Sequence, residues 1–195
     1  MLNNIILASK SKVRKKILDK NKIFCEVKPS YVDEDSVKES LLNKKASPEI
    51  ISKNLAELKA NKISLKNHEQ IVLGADSVID LQGELISKPT NRNEAMLILK
   101  KLNGKEHHLI SSVCLSKNGS MIWNYTDKAK LKMKNFRKLE LENYLSNISD
   151  EKLYSYNVYQ IEDDGKNLFD EIKGDKDTIM GLPIKKIKEY LKNLS

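Results

Sequence analysis

The chain has 195 residues, 39% hydrophobic and 32% charged, with a formal net charge of +8. That suits one well-cored globular domain and excludes a disordered polyelectrolyte. No apolar run approaches the roughly 18–20 residues that cross a bilayer, and the short apolar start lacks a signal peptide's order, so a cytoplasmic protein with no membrane partner is expected.

Asn4–Ser9 (NIILAS) reads as a short buried strand, and a helix follows from about Ser11 with Ile17 and Leu18 as its apolar positions. Ile23–Val27 (IFCEV) alternates as a second strand, which gives a β-α-β start. The acidic stretch PSYVDEDS, holding Asp33, Glu34 and Asp35, reads as a solvated loop. Ser47-Pro48 pairs a capping hydroxyl with proline at the first helical position. Ile51, Leu55, Leu58 and Ile63 then give the long helix one apolar face. QIVLGADSVIDLQGELIS is a strand with an acidic interruption, a tight turn at Gln82-Gly83 and a return strand. NRNEAMLILKKLNG is a helix closed by Gly104. From His107 to Met133 two long strands meet at Asn118-Gly119, a hairpin signal. ELENYLSNI is a helix, LYSYNVYQIED and LFDEI are irregular strand and connection, and a last helix starts after Pro183. This order predicts a mixed sheet flanked by helices.

Several of these positions carry chemistry. Ser9, Ser11, Arg14 and Lys15 stand where a strand empties into a helix start, whose N–H groups suit an anion. A solvated basic helix with a serine cap explains the same residues. Asp76 interrupts an apolar strand, where burying an unpaired carboxylate costs several kcal/mol. It is paired, bound to a metal, or set at a strand end facing a cleft, and the plainer reading is a cap for the next turn, to which Asp80 belongs. Lys88-Pro89 returns an ammonium towards the same edge, while Lys59 is one lysine among many on its helix. His107 and His108 are adjacent, hence on opposite faces of a strand, and do not chelate one metal together. Cys25 and Cys114 form no CxxC or Cys/His zinc pattern and read as core thiols of a reducing compartment. No P-loop, G-x-S-x-G or HExxH occurs. Carboxylates and cations without a nucleophile suit metal-assisted phosphoryl chemistry.

The ordered motifs LASKSKVRKKIL, VDED, NLAELKA, GADSVI, SKP, LNGKEHHLISSV and GDKDTIMGLPI resemble the Maf family of nucleoside triphosphate pyrophosphatases over almost the whole chain. The resemblance implies a single Maf-like domain over 1–195, with a Maf/inosine-triphosphatase-like α/β fold: an elongated mixed β-sheet flanked by helices, in two lobes around a central cleft. It also implies a homodimer that cleaves a nucleoside triphosphate between its α and β phosphates, with a divalent cation (Mg²⁺ or Mn²⁺). By matching position, Ser9, Arg14 and Lys15 fall at the phosphate cradle, with Lys59 and Lys88 as further substrate-binding cations. Asp76 falls on the catalytic carboxylate, as metal ligand or general base, and Glu34 on a second metal ligand. Ser155 stands where members acting on dTTP and UTP carry lysine, Glu162 where they carry glutamine, and Ser111-Ser112 where Thr-Gly is expected. Glu162, placed among the substrate-binding residues, and the Ser-Lys-Val-Arg-Lys spacing resemble the 7-methyl-GTP branch. A modified purine, CTP or UTP is the implied substrate.

Two other functions fit the chain less well. One is a nucleotide-binding regulator related to septum formation, binding without turnover. The other is a basic nucleic-acid-binding module. Only Arg14, Arg92 and Arg137 among the 35 basic residues are arginines, and nucleic-acid surfaces favour arginine. The lysine excess, with abundant Asn and Ile, reads as the background of an AT-rich gene, and no nucleic-acid partner is expected.

Overall fold

The computed structural model describes residues 5–161 and 164–194. In chain order these form β1 (Ile5–Leu7), α1 (Lys12–Lys20), β2 (Cys25–Val27), α2 (Glu34–Asn43), α3 (Pro48–Ser64), β3 (Val72–Leu81), β4 (Glu84–Ile86), α4 (Arg92–Leu102) and β5 (Glu106–Lys117). There follow β6 (Ser120–Met133), α5 (Lys138–Ser146), α6 (Asp150–Tyr156), β7 (Phe169–Lys173), α7 (Lys176–Ile179) and α8 (Ile184–Asn193). The strands make one sheet in the order β2-β1-β3-β5-β6-β7, with β4 also paired to β3. β1 runs parallel to β2 and β3, while β4 and β7 are antiparallel to β3 and β6. The mixed sheet flanked by helices is therefore as the sequence implies.

Contacts gather into two compact units, and β3, β5 and β6 contribute residues to both. The first comprises the described residues within 1–78, 110–128 and 175–195. Its sheet is buried on both faces. Ile5, Leu7, Leu73, Ala75, Val113 and Leu115 point to one side, against Ile17 and Leu18 of α1 and Ile184, Ile187 and Leu191 of α8. The alternate residues point to α3: Ile6, Ala8 and Val72 meet Ile63, and Cys114 meets Ala56 and Ala60. This two-residue alternation on each strand is what a strand covered on both faces requires.

α3 lies against β3 because Gly74 has no side chain. A Cβ there would stand 2.1 Å from the Ala56 carbonyl oxygen and 2.7 Å from the Ala60 nitrogen. Ser47 caps α3 and Pro48 sits in its first turn, as expected from sequence. The buried stripe, however, runs Ile51, Leu55, Lys59, Ile63. Leu58, expected on that face, is 41% exposed.

The second unit holds the described residues of 79–109 and 129–174. Arg92 ties α4 to the end of α5 and the start of α6, donating to the Leu145 and Ile148 carbonyls and pairing with Asp150 at 2.7 Å. His107 is buried here against Tyr159 and Phe169, with Nε2 2.9 Å from the Tyr159 hydroxyl and no partner for Nδ1. Three expectations are corrected. Glu34–Asn43 is helix α2 rather than loop, begun by Asp33, whose carboxylate accepts from the Ser36 N–H. LYSY lies in helix α6 rather than strand. Cys25 is half-buried rather than core, while Cys114 is buried.

Two outcomes follow from this packing. Gly74→Ala forces α3 off the sheet, with an expected loss of about 3 kcal/mol or more, read in thermal unfolding as a Tm lower by roughly 6–12 °C. Burial lowers the His107 pKa from 6.5 to about 4. Between those values the unfolded chain takes up a proton that the folded protein refuses, so stability falls as pH drops from 6.5 to about 4. The loss is about 3 kcal/mol at most, and His107→Phe is expected to remove that part of the slope in urea titrations across this range.

Candidate active site

β1 ends at Leu7, while β3 continues to Leu81. The last β1 contact on β3 is the Ala8 N–H to the Leu73 carbonyl, 2.8 Å. Beyond it, on the β1 side, the Ala75 carbonyl has no strand to pair with. Arg14, on the first turn of α1, takes that place: Nη1 donates to the Ala75 oxygen at 3.0 Å and to Ser9 Oγ at 3.2 Å. Nε donates to the Gly181 carbonyl at 2.9 Å and Nη2 to Ser77 Oγ at 3.1 Å. Gly181 has φ +90°, and a Cβ on it would lie 2.9 Å from Ser77 Oγ and 3.4 Å from the guanidinium. Ser77 Oγ also meets Ser111 Oγ at 2.9 Å, and Ser111 donates to the Thr178 carbonyl at 2.8 Å. Arg14 thus clamps the β1–α1 turn, β3 and the entry to α8 through protein acceptors.

The opposite face of β3 carries the acidic group. Asp76 is 5% exposed and points towards α3, with Oδ1 2.7 Å from Lys59 Nζ. The same ammonium lies 2.8 Å from Glu34 Oε1, at the start of α2. Lys59 therefore bridges a buried carboxylate and a half-exposed one. Ser52, one turn and three residues earlier on α3, donates to the Asp76 main-chain carbonyl at 3.3 Å. Asp76 Oδ2 is buried without a hydrogen-bond partner. Burial lowers the Arg14 pKa from its ordinary value, and the charges of Asp76 and Glu34 oppose that shift.

The structure joins Ser9 to Arg14, and Lys59 to Asp76 and Glu34. Lys15 instead pairs with Asp19 on the surface of α1, which raises its pKa. Lys88 is exposed just past β4, in the second unit. Glu162 lies outside the described residues. Ser111 spends its hydroxyl within the Ser77–Thr178 network. Sequence reasoning missed Ser52, Ser77 and Thr178. The signal for Ser52 was its place, with Ala56 and Ala60, in the i, i+4 series along the buried side of α3. Among the described residues no group of three or more His, Cys, Asp or Glu side chains is arranged to hold a metal. No described helix is long and apolar enough to cross a membrane.

Fold and cluster define an α/β protein whose acid–ammonium–acid group lies beyond the carboxyl end of a parallel strand, where open α/β sheets place their ligands. A family model described as Maf-like protein matches residues 4–194, and the chain belongs to that family. It is 72% identical over 192 residues to a Pelagibacter ubique protein named nucleoside triphosphate pyrophosphatase, with 98% of each chain covered. Proteins of the same name from Caulobacter vibrioides and Roseobacter denitrificans are 37% and 36% identical, covering 98% and 96% of this chain and 96% and 94% of theirs. Among solved structures, the Staphylococcus aureus Ham1 protein is similar with a TM-score of 0.47 at 14% identity, covering 99% of this chain and 100% of that one.

Lys59→Met leaves Asp76 as an uncompensated buried charge and is expected to destabilise the fold by about 3–5 kcal/mol. Adding Asp76→Asn should restore part of that loss. A double-mutant cycle by urea unfolding measures the coupling.

Proposed function

We propose that this protein is a nucleoside triphosphate pyrophosphatase, a hydrolase that opens the anhydride between the α and β phosphates to give a nucleoside monophosphate and pyrophosphate. The observation that carries the reading is Asp76: a buried carboxylate with one oxygen held by Lys59 and the other unpartnered. The names of its relatives give the same activity.

Asp76 has one open oxygen for one of two roles: Oδ2 takes the attacking water's proton as the new P–O bond forms and the α–β bridging bond breaks to release pyrophosphate, or Oδ2 is a ligand of the divalent cation. Lys59 holds Oδ1 at 2.7 Å, which fixes the carboxylate's direction. Ser9 and Arg14 shape the β1–α1 turn that receives the phosphates, with Arg14 acting chiefly by holding that turn. Lys15 and Lys88 are further cations for the polyphosphate, Lys15 by leaving its exposed partner Asp19. Two carboxylates are a donor set that suits a hard divalent cation such as Mg²⁺ or Mn²⁺, which completes its shell with water and substrate phosphate. The free Oδ2 fits that role, so Asp76 and Glu34 are the residues that would hold it. When bound, such an ion neutralises charge on the phosphate oxygens and lowers the pKa of water. The departures at Ser155 and Glu162 bear on recognition of the base, and 7-methyl-GTP, CTP and UTP are the first substrates to try.

The test is pyrophosphate release from dTTP, UTP, CTP, GTP and 7-methyl-GTP with Mg²⁺ or Mn²⁺, for wild type and Asp76→Asn. Turnover of one or two substrates is expected, with kcat reduced on the order of 10²–10⁴-fold in the variant and nucleotide binding kept. A folded, metal-supplied wild type that releases no pyrophosphate from any of them rules the activity out.

A further inference from the structure

We infer that Lys10, held on the ring of Tyr31, is a further phosphate-contacting residue of this site, an inference that rests on the pyrophosphatase reading. Lys10 lies in the β1–α1 turn between Ser9, which Arg14 anchors, and Ser11, which caps α1. Its ammonium stands 4.4 Å from the centroid of the Tyr31 ring. Among the described residues it has no carboxylate partner, unlike Lys15 with Asp19 and Lys59 with Asp76 and Glu34. An ammonium resting on an exposed ring is weakly held, so it moves to a phosphate oxygen without breaking an ion pair.

Tyr31 is the informative partner. It has φ +48°, a left-handed conformation in which a bulky aromatic residue is an outlier. Burial does not explain its presence there, because the residue is 71% exposed. Two lysines of α3, three residues apart, hold its segment: Lys62 donates to the Tyr31 carbonyl at 2.7 Å, and Lys59 pairs with Glu34 at 2.8 Å. The same helix face thus fixes the Glu34 carboxylate and the strained peptide three residues before it. A glycine would occupy this backbone without strain. Strain kept at an exposed position beside a candidate site points to use of the side chain, and the contact that the ring makes is with Lys10. Tyr31 is a positioning residue, and the phosphate contact is made by Lys10.

The probes are inorganic pyrophosphate and a non-hydrolysable nucleoside triphosphate analogue, titrated calorimetrically against wild type, Lys10→Gln, Tyr31→Phe and Tyr31→Gly. Lys10→Gln and Tyr31→Gly are expected to weaken both ligands alike, by roughly 5–10-fold in Kd, the size of one lost solvent-accessible charge-assisted contact. KM should rise by a similar factor with kcat little changed. Tyr31→Phe keeps the ring and should bind as wild type. Tyr31→Gly should unfold at a higher temperature than wild type while binding worse, which a purely structural role for the ring would not produce. Wild-type affinity for pyrophosphate in Lys10→Gln overturns the inference. So does a loss confined to the nucleoside-bearing analogue, which would make Tyr31 a base-stacking residue. A wild type without turnover overturns the parent reading and this one together, whereas turnover with Lys10→Gln unaffected in KM overturns this one alone.

Discussion

The buried pair between Asp76 and Lys59 is the interaction on which the rest of the first unit depends. Taking both charges out of water is costly, and their attraction offsets that cost only when distance and direction are well kept. Here the distance is 2.7 Å, and both side chains are 7% exposed. The pair requires α3 to approach β3 closely, and Gly74, two residues before Asp76 on the same face, permits it. One missing side chain therefore sets the helix-to-sheet spacing that the ion pair needs. The Ser52 bond to the Asp76 carbonyl adds a second point at which α3 and β3 are held together.

β3 also divides two polar systems that lie one residue apart. Asp76 faces α3, and Ser77 faces the side covered by α1 and α8. The early end of β1 is what joins them to the turn. Had β1 run on, its own N–H groups would have paired with β3, and Arg14 would have had no backbone acceptor there. Instead the guanidinium completes the sheet edge at Ala75 and draws in Gly181, so α8 is tied to the opening turn of the chain. A rigid turn follows, with Ser9 and Ser11 oriented by hydrogen bonds and Lys10 left between them.

The strands, the two hairpin turns and the capped α3 are readable because each has a local cause: alternation, positive-φ turn residues, a Ser-Pro helix start. Glu34 as the start of α2 was not, since that helix buries no residue and so has no periodicity to show. Its signal was instead Asp33 as cap with Glu34 and Asp35 in the first turn, a pattern an acidic loop imitates. Lys59 was hidden by chemistry. The series 51, 55, 59, 63 is regular, but a lysine within it invites substitution of the neighbouring Leu58 as the apolar position. Asp76 was legible for the opposite reason, because a carboxylate inside an apolar run has few explanations. The choice between a turn cap and an ion pair needed tertiary structure, as did the clamp role of Arg14.

Charge explains why these pieces belong together. Asp76, Glu34 and Lys59 sum to a net negative charge, with Arg14 opposing it from the other face of β3. On the pyrophosphatase reading a triphosphate would bring several negative charges to that place, and carboxylates and substrate would repel unless cations stood between them. Lys59 is already committed to both carboxylates, and the donors of Arg14 are committed to the turn, β3 and Gly181. On that reading the balance would be left to a divalent ion at Asp76 Oδ2 and to the lysines proposed to contact the phosphates. On the same reading Lys10, which has no carboxylate partner among the described residues, would reach a phosphate oxygen without breaking an ion pair, whereas Lys15 would first leave Asp19.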